Sequence, residues 1–178
     1  AVYDQSGDGV ADRVYGGDLD GDLWVAESSN QGFASPYEQS NSPLPLFDGT
    51  QPITSAPLII PNNNIHPKEG EPELYVLFGT GQYLNNDDLS DTSNQSFYAV
   101  RDVGASGIQR GDLAERTLSE KQGTPAGAEI LISEATGNMD PERGWYVDLF
   151  TAGERIPLSP QVRGEYIFVN STIPSDNP

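Results

Sequence analysis

Short apolar runs alternate along the chain with clusters of Gly, Pro, Asp, Asn and Ser. The runs at 12–18 (DRVYGGD), 22–27 (DLWVAE), 53–60 (ITSAPLII), 73–80 (ELYVLFGT), 95–102 (QSFYAVRD), 128–133 (AEILIS), 144–149 (GWYVDL) and 165–172 (EYIFVNST) are rich in Val, Ile, Tyr and Phe. Those residues favour a pleated, half-buried backbone, so each run predicts a strand. Between the first two lies LDG in GDLDGDLW, a tight turn between apolar flanks that predicts an antiparallel hairpin. It makes Asp18, Asp20 and Asp22 turn residues rather than a metal site. One helix is predicted, LAERTLSEK at 113–121, with Asp112 as its N-cap.

The pattern repeats. ITSAPLI at 53–59 can be laid on IPLSPQV at 156–162, matching Ile, then Pro four places on, then an aliphatic position, and a similar strand follows each copy, LYVLFGT and YIFVNST. Repeated antiparallel units of this kind predict propeller blades. A blade takes about four strands and roughly 40 to 50 residues, and a closed ring takes at least about four blades. The segments 28–50 and 61–72 use up length without strand character, which leaves about three blades and long loops. The expected fold is therefore all-β: antiparallel propeller blades, a partial or modified propeller, with one short helix.

Composition sharpens this picture. In 178 residues, 35% are apolar and 33 are Gly or Pro (19 and 14), so core segments must be short and turns frequent. The formal charge is −18, from 27 acidic and 9 basic side chains, which repels nucleic-acid backbones and anionic membranes and favours cations. With no Cys, disulfides and thiolate chemistry are excluded. No apolar run approaches the roughly 18 residues of a membrane-spanning helix. AVYDQ is neither a signal peptide nor a Met start, which reads as a piece of a longer chain.

The sharpest chemical signal is DQSGDGVAD at 4–12. Asp4, Ser6 and Asp8 stand at alternate positions, Val10 offers a carbonyl at the seventh, and Asp12 closes the loop at the ninth. Calcium takes six to eight hard oxygens, and this spacing offers five, with water to complete the shell. Gly7 and Gly9 allow the tight wrapping. In an EF-hand the closing acid comes at position 12 between helices, whereas here it runs straight into the strand RVYGG, as in the shortened loops of β-rich scaffolds. An Asx-rich turn that binds nothing uses the same residues. Three carboxylates converging without a cation would repel one another, which favours calcium over that turn, and Mg²⁺ is disfavoured by its strict octahedral demand.

Other candidates weigh less. Arg110-Gly111-Asp112 spells RGD, but Asp112 already has a capping role. His66, the sole histidine, sits in the polar loop NNNIHPKEG, and no G-x-S-x-G elbow accompanies it. Trp24 and Trp145 fall within strands, where packing is the ordinary role of an aromatic ring. The glycosylation patterns NQS (94–96) and NST (170–172) are discounted because one lies in a predicted strand.

The stretch DQSGDGVADRVYGGDLDGDLWVAE, followed by ITSAPLII, LYVLFGTGQYL, QSFYAVRD, GWYVDL and GERIPLSPQVRGEYIFVNSTIPSDNP, resembles the C-terminal β-propeller of the PilY family of type IV pilus biogenesis proteins. The resemblance implies a modified propeller of a large secreted protein at the pilus tip or outer membrane, with calcium affecting pilus extension and retraction. It maps the calcium loop onto Asp4, Ser6, Asp8, the Val10 carbonyl and Asp12; Ser6 replaces the usual Asp or Asn. It also implies that residues 1–178 are one propeller-type domain, a fragment of a larger one, partnered by pilus subunits or minor pilins and by host or abiotic surfaces. Neither nucleic-acid binding nor membrane insertion is expected. A calcium-stabilised integrin-type or lectin-like adhesion propeller remains the alternative. A quinoprotein-like enzyme ranks below it, because no credible catalytic group is found.

Overall fold

The computed structural model describes residues 1–29, 32–39, 42–61, 73–120, 131–134 and 143–175. In chain order the strands are β1 (Val2–Tyr3), β2 (Arg13–Gly17), β3 (Leu23–Ser29), β4 (Gly32–Ala34), β5 (Glu38–Gln39), β6 (Ser42–Pro43), β7 (Phe47–Asp48) and β8 (Leu58–Pro61). They continue with β9 (Leu74–Gly79), β10 (Ser96–Asp102), β11 (Ile108–Gln109), β12 (Ala114–Glu120), β13 (Leu131–Glu134), β14 (Gly144–Asp148), β15 (Gln161–Arg163) and β16 (Tyr166–Phe168).

Two six-stranded sheets carry the fold, the first in the order β1-β2-β3-β7-β11 with β4 on β3, the second in the order β8-β9-β10-β14-β12-β13. In each, four successive strands pair antiparallel and a fifth adds in parallel: β11 on β7, β12 on β14. The chain passes from the first sheet to the second after β7, returns to the first at β11 and enters the second again at β12. Among the described residues there are also two separate pairs, β5-β6 and β15-β16, and an antiparallel bridge between Arg155 and Thr172. The architecture is all-β, as the alternation of apolar and turn residues indicates, and β15-β16 supplies the beginning of a third sheet.

The main core lies between the two large sheets. Tyr15, Leu23, Val25 and Phe47 of the first meet Val76, Phe78, Tyr98 and Val100 of the second. The Phe78 and Tyr98 rings stack with centroids 5.2 Å apart, and Phe47 tilts against both. Full burial of each such side chain stabilises by about 1.5–3 kcal/mol. The second sheet has another buried cluster, Leu77, Phe97, Ala99, Val147 and Ile156, so every residue of β10 is buried.

The internal repeat is physically real. The Ile53 N–H donates to the Asp18 carbonyl at 2.8 Å and the Ile156 N–H to the Thr80 carbonyl at 2.9 Å. Each isoleucine thus docks just beyond the glycine ending a strand, Gly17 or Gly79. The predicted β2–β3 hairpin also forms, with Asp18 Oδ1 accepting from the N–H groups of Asp20, Gly21 and Asp22 at 2.9–3.0 Å. Asp18 Oδ2 accepts from the Trp24 indole at 2.7 Å.

Two expectations are corrected. Residues 114–120 are not a helix but β12, and the helical pieces among the described residues are 3-10 turns at Asn86–Ser90 and Arg110–Asp112. Ala, Glu, Arg and Leu favour a helix locally, but β14 and β13 flank this segment and their ladders override that weak preference. Along it, Arg116 and Leu118 face inward while Glu115, Thr117 and Ser119 face out, the period-two pattern of a strand. Asp112 accordingly caps no helix; its carboxylate accepts from the Gln109 N–H at 2.9 Å within the short turn. Segment 28–50, read as strandless, contains β4 to β7. Three of these four have only two residues, too few for a periodic signal.

Asp88 is buried and organises the 82–91 loop: it accepts from the N–H groups of Leu84 and Asn85 at 2.7 and 2.9 Å and from Gln82 Nε2 at 2.7 Å. Those backbone donors hold its carboxyl below the usual range. A depressed folded-state value contributes stability above the unfolded-state value, near about 3.9, which is lost as pH falls through the folded value. The urea midpoint is therefore expected to drop as pH is lowered from 6 toward 3, with a shallower drop in Asp88→Asn. Identical slopes for the two proteins would contradict this assignment.

Candidate functional site

The acidic segment forms the loop between β1 and β2, with its mouth closed by the Asp12 N–H donating to the Tyr3 carbonyl at 2.9 Å. Asp4 Oδ1 accepts from the Gly7 N–H at 2.6 Å and Asp4 Oδ2 from the Gly9 N–H at 2.7 Å. Ser6 Oγ lies 3.3 Å from Asp4 Oδ1. Asp12 Oδ2 accepts from the N–H groups of Gln5 and Ser6 at 2.7 and 2.8 Å, and Asp8 Oδ1 from that of Val10 at 2.8 Å. Gly7 and Gly9 have φ of 74° and 87°, a conformation costly for other residues. The amides of Gly9 and Gly7 hold the Asp4 carboxyl below its ordinary range.

All five residues assigned to the metal therefore lie on one curled loop with hard-oxygen donors. Among the described residues, no three Asp, Glu, His or Cys side chains stand together as a ready-made cage. Each carboxylate is instead turned to its own backbone donors. The donor chemistry and the curl suit calcium; in this conformation the ligands have not converged.

Behind the loop lies a polar cluster that pattern reading did not reveal. Arg13, directly after Asp12, donates from Nη1 to Asp102 Oδ2 at 2.5 Å and from Nη2 to Glu27. Tyr15 OH donates to the same Asp102 oxygen at 2.6 Å and Tyr37 OH to Asp102 Oδ1 at 2.7 Å. Burial, and next the Asp102 charge, push both phenols well above their usual value. Burial is the largest single influence on the Arg13 guanidinium and would lower it, but Asp102, Tyr15 and Glu27 together outweigh it and the net shift is upward. An open cleft of about 370 Å³ lined by Gln5, Ser6, Asp12, Arg13, Glu27 and Ser28 joins loop and cluster. The only hint in the sequence was an Arg opening one apolar strand and an Asp closing another.

The other candidates resolve individually. Arg110 is engaged: its Nη2 contacts both Asp148 oxygens at 2.7 and 2.8 Å, its Nη1 donates to Ser96 Oγ and Tyr98 OH, and it lies 3.8 Å from the Tyr146 ring centroid. The RGD tripeptide thus lies on one of the passages between the sheets, from β11 to β12, with its cation committed to the second. Trp24 bonds Asp18, and Trp145 packs on Phe97 at 6.0 Å beneath Arg116. Ser96 of NQS is buried, and Ser171 of NST bonds Glu154. His66 lies outside the described residues. No described helix is long and apolar enough to cross a membrane.

Curled acidic loop, stacked antiparallel sheets and internal repeat define a propeller-type all-β segment, and comparison with known proteins identifies its family. The family model for the PilY1 beta-propeller domain matches residues 1–125, and the chain belongs to that family. It is 29% identical over 99% of its length to the type IV pilus biogenesis factor PilY1 of Pseudomonas aeruginosa strain PAO1. It is 27% identical over 98% of its length to a PilY1 homolog of Xylella fastidiosa. The chain spans 19% and 12% of those two relatives. The crystal structure of the Pseudomonas aeruginosa PilY1 C-terminal domain superposes with a TM-score of 0.70 at 26% identity, covering 98% of this chain and 43% of that one. These relatives are named as pilus biogenesis factors rather than enzymes.

Proposed function

We propose that residues 1–178 form a non-enzymatic, calcium-binding propeller region of a type IV pilus biogenesis and adhesion protein displayed outside the cell. Its partners in this reading are pilus subunits or minor pilins and the surfaces to which pili attach, and calcium occupancy modulates pilus extension and retraction. The observation that supports it best is the β1–β2 loop, whose oxygen donors and two positive-φ glycines sit in a chain of the PilY1 propeller family.

Asp4, Ser6, Asp8, Asp12 and the Val10 carbonyl would hold the ion. Bound calcium supplies neutralisation of three carboxylates. The chain's own residues carry the consequence inward: Asp12 staples the Gln5 and Ser6 amides, and its neighbour Arg13 is fixed on Asp102 of the second sheet. The order of the loop is thereby tied to the start of β2 and to the junction between the sheets.

Calorimetric titration of calcium tests this reading. Binding heat is expected for the unaltered chain and its loss for Asp8→Ala, a side chain with a single backbone partner in the loop. No heat with the unaltered chain overturns the reading. Chelator should also speed amide exchange across residues 1–13 while leaving β9 and β10 protected; unchanged exchange in the loop would count against any structural role for the ion.

A further inference from the structure

A second cleft, of about 650 Å³, opens where the β7–β8 connection meets the β9–β10 loop and the Arg110–Asp148 pair. Its size falls within the roughly 300–1,000 Å³ of ordinary small-molecule sites. Its walls are braced by the protein's own bonds. Gln51 commits both ends of its amide, accepting from Tyr98 OH at 2.6 Å and donating to the Asn94 carbonyl at 2.8 Å. Tyr98 OH in turn accepts from Arg110 Nη1 at 2.9 Å, and the buried Arg155 donates to the Asp91 carbonyl at 2.6 Å. The Asp91 carboxylate accepts from the Ser93 N–H at 2.8 Å. Such preorganisation lowers the ordering cost of binding.

One wall residue is buried, and it is the one left incomplete. Gln95 is 3% exposed; its Nε2 donates to Ser93 Oγ at 2.9 Å, while its Oε1 has no hydrogen-bond partner among the described residues. Turning the amide over leaves this count unchanged, since one end still meets Ser93 and the other still meets nothing. A buried amide end without a partner is a demand that a ligand can meet. Hydroxyl is the group that satisfies either end, being donor and acceptor at once. The rest of the wall has the same mixed character. Thr50, Ser93 and Asn94 are exposed and offer hydroxyl and amide groups. Arg110 and Asp148 neutralise each other through their bidentate pair, and Leu19, 56% exposed, adds an apolar face.

We propose that this cleft binds a neutral carbohydrate, with Gln95 and Asn94 bonding sugar hydroxyls and Leu19 and Pro52 packing on the C–H face of the ring. Charge argues against the other small polar classes. Phosphates and acidic sugars are repelled by Asp91 and by a chain of formal charge −18. An ammonium ligand would meet the Arg110 guanidinium in the same wall. A mainly apolar molecule would strip water from these amides and hydroxyls without replacing its bonds. The proposal goes beyond the calcium reading and does not depend on it: no residue of the β1–β2 loop lines this cleft, so sugar binding and calcium binding stand or fall separately.

Amide spectra of the isotope-labelled protein, recorded in chelator to keep the calcium loop out of the result, are to be titrated with lactose, maltose, cellobiose and chitobiose. At least one sugar is expected to bind with a millimolar or tighter dissociation constant, shifting the Gln95 side-chain amide and the backbone amides of 91–95. No saturable shift there with any of these sugars overturns the proposal, and so does an equal shift with glycerol at matched hydroxyl concentration. The uronic acid matching the sugar that binds should bind about threefold more weakly or worse; equal or tighter binding overturns the assignment to a neutral ligand. Asn94→Ala alters an exposed side chain and leaves the backbone carbonyl that holds Gln51. It should weaken binding about three- to tenfold at an unchanged melting temperature, and Gln95→Leu about tenfold or more. Unaltered affinity in Asn94→Ala overturns the proposal even where Gln95→Leu is too unstable to titrate.

Discussion

Asp102→Ala is expected to destabilise the protein by about 3–5 kcal/mol, because it strips the partner from a buried cation. Asp102 is fully buried at the end of β10, and Arg13, Tyr15 and Tyr37 all converge on its two oxygens. After truncation Arg13 keeps only Glu27, whose side chain is 39% exposed, and two phenol hydroxyls lose their acceptor. Unmade hydrogen bonds of buried groups cost more than the same bonds contribute when formed. Glu27→Ala serves as the contrast, with an expected loss below about 1 kcal/mol because that partner faces solvent. Urea denaturation of the two variants checks the ranking, and equal losses would refute the assigned role of Asp102. The same cluster sets an alkaline limit. Raised phenol values in the fold mean that this contribution is intact below the unfolded tyrosine value, about 10, and fades as pH rises beyond it.

That cluster also shows what a linear sequence conceals. Arg13 and Asp102 are 89 positions apart, and each sits at the end of an ordinary apolar strand. Local pattern found the strands from their β-branched and aromatic residues but carried no information about which ends meet. The Ile-to-Pro repeat was visible because the same docking geometry recurs, with an isoleucine seated against a glycine and the next strand register counted from it. The hairpin at LDG was visible because Asp18 closes it through local bonds. The helix expected at 113–121 failed for the complementary reason. Its propensity is local, whereas the β13 and β14 ladders that decide its conformation come from distant residues. The acidic loop lies between these cases: spacing revealed its oxygen donors, but that each carboxylate turns to a loop amide depends on backbone geometry. Likewise, RGD read as a tripeptide says nothing of Asp148, the distant partner of Arg110.

The repeat makes a second large effect predictable. A methyl group added at Gly17 would stand 2.2 Å from Ile53 Cγ2 and 2.4 Å from its Cβ; one added at Gly79 would stand 2.2 Å from Ile156 Cγ2 and 2.3 Å from its Cβ. These isoleucine atoms are at the branch point, next to the backbone, and cannot swing aside as the end of a long side chain can. Each isoleucine is also fixed by its own N–H bond to the carbonyl after the glycine. Gly17→Ala and Gly79→Ala are therefore each expected to cost about 1–3 kcal/mol by overpacking, and to cost similar amounts despite lying 62 positions apart (79 − 17). Ile156→Ala alone should cost about 2–5 kcal/mol through the cavity it leaves. The double variant Gly79→Ala/Ile156→Ala then has a distinctive signature: the added methyl occupies part of the vacated space, so the combined loss should fall short of the sum by about 0.5–3 kcal/mol. Chemical denaturation of the four proteins in each cycle measures that coupling. Strict additivity at both glycines would show that the isoleucine seats are not the close contacts that join one blade to the next.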